Sequence, residues 1–288
     1  MRKYKILLPI LIMLFILTAP IGAWQVNQHY KNTTAETAYD MTKVLLGPNI
    51  TFTQVMLGQP FPDFTQYSLG GVTLGHWYSV GNTATVIPGE YGHACFSTDF
   101  YKPPPFAAFW TRADHSIIGR AGPVMDFDIK FVGHRLLIKM KNQWQVWTGT
   151  AIPPGTGDRL EGHVGPITVG EIKYAVDSFA TTFSLEELDS TLIGPYNFID
   201  VPGMTGVFDT TEERTASVID STIQAGHTVL LYFTLTGPGG EESYYMIACE
   251  AKITPMPATT TWGIIALLLL LALTAGYLFM RRRPKFSL

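Results

Sequence analysis

Only two cysteines occur in this chain, Cys95 and Cys249. Two thiols cannot supply a four-ligand structural zinc site, and neither has Cys or His at finger spacing. The motifs of common hydrolases and nucleotide binders are absent as well: there is no HExxH, no GxSxG and no phosphate-binding glycine loop. Charge is scarce, at 15% of residues, and unevenly placed. Seven of the 20 Lys and Arg lie within residues 1–23 and 263–288, where no Asp or Glu occurs, so the stretch between keeps 13 against 23 and carries −10 with His neutral. That acidity argues against nucleic acid, whose binding neutralises phosphates with Lys and Arg. It also argues against adhesion to anionic lipid headgroups. No internal repeat and no low-complexity tract is visible.

The two ends carry the strongest signals. Residues 1–23 begin with Arg2, Lys3 and Lys5, continue through an apolar run from Ile6 to about Thr18, and close on Ile21-Gly22-Ala23. That is the layout of an export signal, with cleavage expected after Ala23 and Trp24 as the first mature residue. The alternative is a retained N-terminal anchor helix. At the other end, residues 263–280 (GIIALLLLLALTAGYLFM) are uninterrupted by charge. Eighteen residues at about 1.5 Å each give roughly 27 Å, close to the thickness of a hydrocarbon core. Trp262 marks one border, and Arg281, Arg282 and Arg283 follow at the other. Basic residues stay on the cytoplasmic side, so the intervening body is expected outside.

Between the ends the chain reads as mainly β, an antiparallel β-sandwich ectodomain built as one large or two docked sandwiches, with one or two short helices. Residues 126–132 alternate Phe127, Ile129 and Phe131 with Asp126, Asp128 and Lys130. Gly133-His134 predicts a two-residue type II′ turn into a returning strand with Leu136, Ile138 and Met140 inward. A second hairpin is expected from 228–236 and 243–253 around the Gly/Pro-rich link 237–240, with Cys249 facing the core. Thr33 and Glu36 at capping-box spacing, followed by Ala38, Val44 and Leu45, predict a helix over 33–47 ending at Gly47. Ser184 and Glu187 predict a shorter one ending near Leu192. Asn142 marks a turn. The expected organisation is a signal peptide (1–23), a first β-rich part (24–150), a boundary or long loop (151–166), a second β-rich part (167–253), a stalk with sorting motif (254–262), a transmembrane helix (263–280) and a basic cytoplasmic tail (281–288).

The last thirty or so residues resemble a bacterial sorting signal of the IPTL-CTERM type: a short Pro-containing motif ending in Trp-Gly, a hydrophobic helix, then an arginine cluster. Pro257, Trp262, Gly263, Arg281, Arg282 and Arg283 match; Met256, Ala258, Thr259 and Thr261 depart from the usual residues. The resemblance implies an exosortase-like membrane protease that recognises the tail and passes the body to a surface or extracellular destination. The bland reading is a permanent single-span anchor.

Candidate chemistry in the body is sparse. Outside the cytoplasm the two cysteines can oxidise, so a Cys95–Cys249 disulfide is expected, the alternative being two buried thiols. His93, Cys95 and Asp99 lie close enough to consider a Cys–His nucleophile. Asp126 with Asp128, and Asp158, Glu161 and His163 in a glycine-rich loop, could offer oxygen or nitrogen ligands, but solvated polar residues explain them as well. His76-Trp77-Tyr78, Phe109-Trp110 and Trp144/Trp147 could form a sugar-stacking strip or fill a core. Asn32-Thr33-Thr34 and Asn49-Ile50-Thr51 match the glycosylation pattern. No catalytic, cofactor or metal residue is assigned at this level. The reading is an exported, surface-anchored, non-catalytic protein of structural or adhesive/binding character. Its partners would be the membrane, an exosortase-like enzyme, and a surface glycan or a second copy. The alternative is a secreted carbohydrate-active or other hydrolase with an unrecognised site.

Overall fold

The computed structural model describes residues 24–46, 50–58, 60–69, 72–98, 106–142, 165–178, 184, 187–188 and 196–252. The expected leader, stalk, sorting motif and membrane helix lie outside these residues, as do Asn49, Asp99, Trp144, Trp147, Asp158, Glu161 and His163. Among the described residues, no helix is long and apolar enough to cross a membrane.

The fold is mainly β and antiparallel. Its strands are β1 (Trp24–Lys31), β2 (Asp40–Leu46), β3 (Phe52–Val55), β4 (Asp63–Leu69), β5 (Val72–Tyr78), β6 (Tyr91–Thr98), β7 (Phe106–Thr111) and β8 (Ile117–Gly122). They continue with β9 (Met125–Val132), β10 (Arg135–Asn142), β11 (Ile167–Asp177), β12 (Ile199–Asp200), β13 (Gly206–Phe208), β14 (Glu213–Ile219), β15 (Thr228–Thr236) and β16 (Glu242–Glu250). An eight-stranded sheet runs β12-β11-β15-β16-β1-β6-β3, with β13 also on β11; a five-stranded sheet runs β4-β5-β2-β7-β8; and a three-stranded sheet runs β14-β10-β9. The first strand thus pairs with the last, and strands from both sides of residues 151–166 share one ladder.

One apolar cluster joins the three sheets. Val26, Tyr30, Phe96, Phe233 and Ile247 of the large sheet meet Met41, Trp77 and Trp110 of the five-stranded sheet and Phe127 and Ile138 of the three-stranded one. Period-2 alternation builds this core directly. On β9, Met125, Phe127, Ile129 and Phe131 are buried, while Asp128 points out and pairs with Lys130 at 2.7 Å. The turn into β10 is the expected two-residue one: Val132 pairs with Arg135, and Gly133 has φ +58°, as the first position of a type II′ turn requires. The β15–β16 hairpin also forms, closed by Gly237 N–H donating to the Glu241 carbonyl at 2.8 Å. Cys249 faces the core as expected.

The helix expected over 33–47 does not form; the segment is a turn followed by strand β2. Asn32, not Thr33, organises the turn. Its Oδ1 accepts from Thr34 N–H and Oγ–H, and its Nδ2 donates to the carbonyls of Glu36 and Val86. Glu36, expected to fold back onto the capping residue, is held by Arg112 at 2.6 and 2.7 Å. Beyond it, β2 lies between β5 and β7 and satisfies its backbone on both sides. Tertiary pairing overrides a local capping signal whose isolated helix is marginal. At the second site the capping box is present: Ser184 N–H donates to Glu187 Oε2 at 2.7 Å, and Glu187 N–H donates to Ser184 Oγ at 3.1 Å. The remainder of that expected helix lies outside the described residues.

Candidate metal centre

The best-built polar cluster in the described fold comes from three residues that sequence reading did not bring together: Asp40, His76 and His115. Asp40 opens β2, His76 sits on β5 opposite Thr42, and His115 sits in the tight β7–β8 connection. That connection is shaped by Arg112 N–H donating to the Ser116 carbonyl and by Asp114 accepting from Ser116 N–H and Oγ–H. His115 itself has φ +68°, a conformation uncommon for a residue with a Cβ. The turn thereby places the His115 ring against β2, with Nδ1 2.5 Å from Asp40 Oδ2. His76 Nε2 lies 3.4 Å from the same oxygen. The His76 ring stacks on Tyr78 and meets His115 edge-on.

Burial makes the cluster chemically distinctive. Asp40 and His76 are buried, and the His115 side chain is partly open to solvent. Four buried polar atoms here have no hydrogen-bond partner: Asp40 Oδ1, His76 Nε2, Thr42 Oγ1 and Thr111 Oγ1. Asp40 pairs with Thr111 across β2–β7, and Thr42 with His76 across β2–β5, so all four belong to one corner of the five-stranded sheet. Such groups are rarely left unsatisfied, so this corner is a candidate place for an ion or ordered water. Two imidazoles and one carboxylate form a donor set suited to zinc or another late first-row divalent ion. Ligand atoms around tetrahedral zinc lie roughly 3.4 Å apart. The three donor atoms here lie within 4.8 Å of one another, so small side-chain rotations would suffice. Beside His115 runs an open groove whose walls include Glu36, Tyr39, Arg112 and Asp114.

The residues singled out from sequence fare differently. No disulfide joins Cys95 and Cys249. Cys249 belongs to the main core, whereas Cys95 packs with Ala175, Leu188, Leu230 and Met246 on the opposite face of the large sheet. Strand β1 separates their strands, so two inter-strand spacings, roughly 9–10 Å, already exceed the reach of a bridge. Burial pushes the Cys249 thiol well up, which removes thiolate reactivity. The His93 side chain is held at Asn27 and His29. Its Nε2 lies 2.6 Å from Asn27 Oδ1 and its ring 4.5 Å from that of His29. Burial, then the neighbouring His29 and Lys43, lower its pKa to about 3. Trp77, Phe109 and Trp110 are buried and cannot present a sugar-stacking face. Asn32 is buried with its amide committed to two carbonyls, so the first glycosylation pattern is closed in the fold.

No family model matches this chain, and no curated protein matches it. The site therefore rests on its own geometry. Asp40, His76 and His115 are 36 and 39 positions apart, far beyond any local ligand spacing. The one sequence signal for them is a histidine, His76, breaking the apolar run of a strand.

Proposed function

We propose that the chain is an exported protein held at the cell surface by its C-terminal segment. Its body is a single large β-sandwich of structural or binding character. One observation carries this reading. Strands β1 and β16 are antiparallel neighbours in the middle of the large sheet, with Gln25 opposite Ala248, so the start of the first strand and the end of the last lie together at the same end of that sheet. A leader removed before Trp24 and a stalk beginning after residue 253 then meet the body at the same end, the arrangement of a domain hung from one membrane. The membrane helix at 263–280 and the arginines at 281–283 set the orientation, and the motif around Pro257, Trp262 and Gly263 offers a processing enzyme its substrate. The body is then retained, released or re-anchored outside, where a surface glycan or a second copy is its partner. Ending the chain at Trp262 should move it from the membrane fraction to the medium. A truncated chain still sedimenting with membranes would contradict anchoring by this segment.

A second reading is favoured by the corner at Asp40, His76 and His115, where the body binds a divalent metal. Three protein ligands leave a fourth position for water, the arrangement that hydrolytic zinc uses, which connects this reading to a secreted hydrolase. A metal that binds only the folded chain at one hundred times its Kd adds about 2.7 kcal/mol of stability. Zinc should therefore raise the melting temperature of the metal-stripped chain, and His76→Ala should abolish the rise. An equal rise in the variant would place metal binding elsewhere.

A further inference from the structure

A lysine lies fully buried in the main core. Lys43 is on the inward face of β2, between Gly75 of β5 and Ala108 of β7. These small neighbours leave room for a chamber walled by rings. Lys43 Nζ lies 4.5 Å from the Phe96 ring centre, 4.9 Å from Tyr30 and 5.6 Å from Trp77. Gly75 is required there, because a Cβ at that position would stand 2.8 Å from both Phe52 and Trp77. Cation–π contact alone would account for a lysine over aromatic faces. It does not account for the amide inside the chamber.

That amide is Gln28, on β1 of the opposing sheet and also fully buried. Lys43 Nζ donates to Gln28 Oε1. Tyr30 Oη–H donates to the same oxygen at 2.5 Å. Gln28 Nε2 has no hydrogen-bond partner. An amine therefore meets a side-chain carbonyl polarised by a phenol, and the amide's amino group is held by nothing. Burial lowers the Lys43 pKa well below its ordinary value, favouring the neutral amine with its lone pair available. Burial raises that of Tyr30, keeping the hydroxyl protonated and a donor.

We propose that Lys43 and Gln28 form an intramolecular amide cross-link, a covalent staple between the two facing sheets. The Nζ lone pair attacks Gln28 Cδ, the carbon bearing the oxygen it already touches. The tetrahedral oxyanion forms where the Tyr30 hydroxyl donates. One proton passes from Nζ to Nε2, the Cδ–Nε2 bond breaks, and ammonia leaves. One C–N bond forms and one breaks; no oxidant, reductant or further reactant is needed. Amines and amides do not exchange at a useful rate in water, but here both are held in contact in a chamber closed to solvent. The staple concerns the core alone and holds or fails independently of how the chain is anchored.

The test is peptide mapping by mass spectrometry of the full chain after folding, denaturation and proteolysis. The expected result is a branched fragment joining the β1 segment to the β2 segment, lighter than its two component peptides together by one ammonia. Lys43→Met should eliminate it, and Tyr30→Phe, which keeps the ring, should lower its yield at least tenfold. Recovery of Gln28 and Lys43 from the folded wild-type chain only in separate, unmodified linear peptides would overturn the proposal, whether or not Lys43→Met folds.

Discussion

Replacing Trp110 with alanine should cost about 3–5 kcal/mol of folding stability, the usual penalty for deleting a buried indole. Trp110 is fully buried on β7 and reaches β6, where a Cβ on Gly92 would stand 2.6 Å from the ring. Pairing with β1, which sets Tyr30 opposite Gly92, limits how far β6 can move to refill that space. Against a typical net stability of about 5–15 kcal/mol, the loss is a large fraction of the total. For a body of this size it should lower the melting temperature of the detergent-solubilised chain by on the order of 10 °C. A drop of only a degree or two would show that the two sheets do not depend on this contact.

Acid should destabilise the fold through His93, and a His93→Gln variant should lose that part of the pH dependence. The folded-state pKa of His93 is about 3 and its ordinary value is 6.5. The folded value is the lower one, so between these limits the unfolded chain binds the additional proton. The contribution is complete above about pH 6.5 and is lost progressively as pH falls toward 3, at about 1.4 kcal/mol per unit. Its ceiling is about 5 kcal/mol, reduced by whatever relaxation admits water to the ring. Carboxylates add their own acid dependence, so the readout is the difference between the melting curves of wild type and variant across pH 7 to 4. Parallel curves would mean that His93 takes its proton without opening the site, despite its contact with Asn27 and the adjoining His29 ring.

Much of the fold was legible where burial on one face repeats every second residue. β9, β10, β15 and β16 follow from alternation and turn chemistry alone, down to the two-residue turn at Gly133. The N-terminal region was less legible because its strands carry polar groups inward. β1 buries Asn27 and Gln28, and β2 buries Asp40, Thr42 and Lys43, so neither shows a clean apolar period. Thr33 and Glu36 supplied a capping signal that local sequence cannot distinguish from a true one; Asn32 and the pairing of Ala38 with Val86 decide against it. The thiols had the composition of a bridge, but the sheet separates them onto opposite faces. The Asp40–His76–His115 corner and the Lys43–Gln28 contact both depend on which strands become neighbours. That is information about topology, which spacing along the chain does not carry.

In the function proposed above, the body lies outside the cell and is held there through the C-terminal segment. That reading is tested most directly by treating intact cells with a protease and sequencing the N-terminus of the membrane-associated form. The expected result is a mature chain beginning at Trp24 whose body is digested from outside while a cytoplasmic marker survives. A chain that still begins at Met1 and resists the protease until the cells are broken would contradict it.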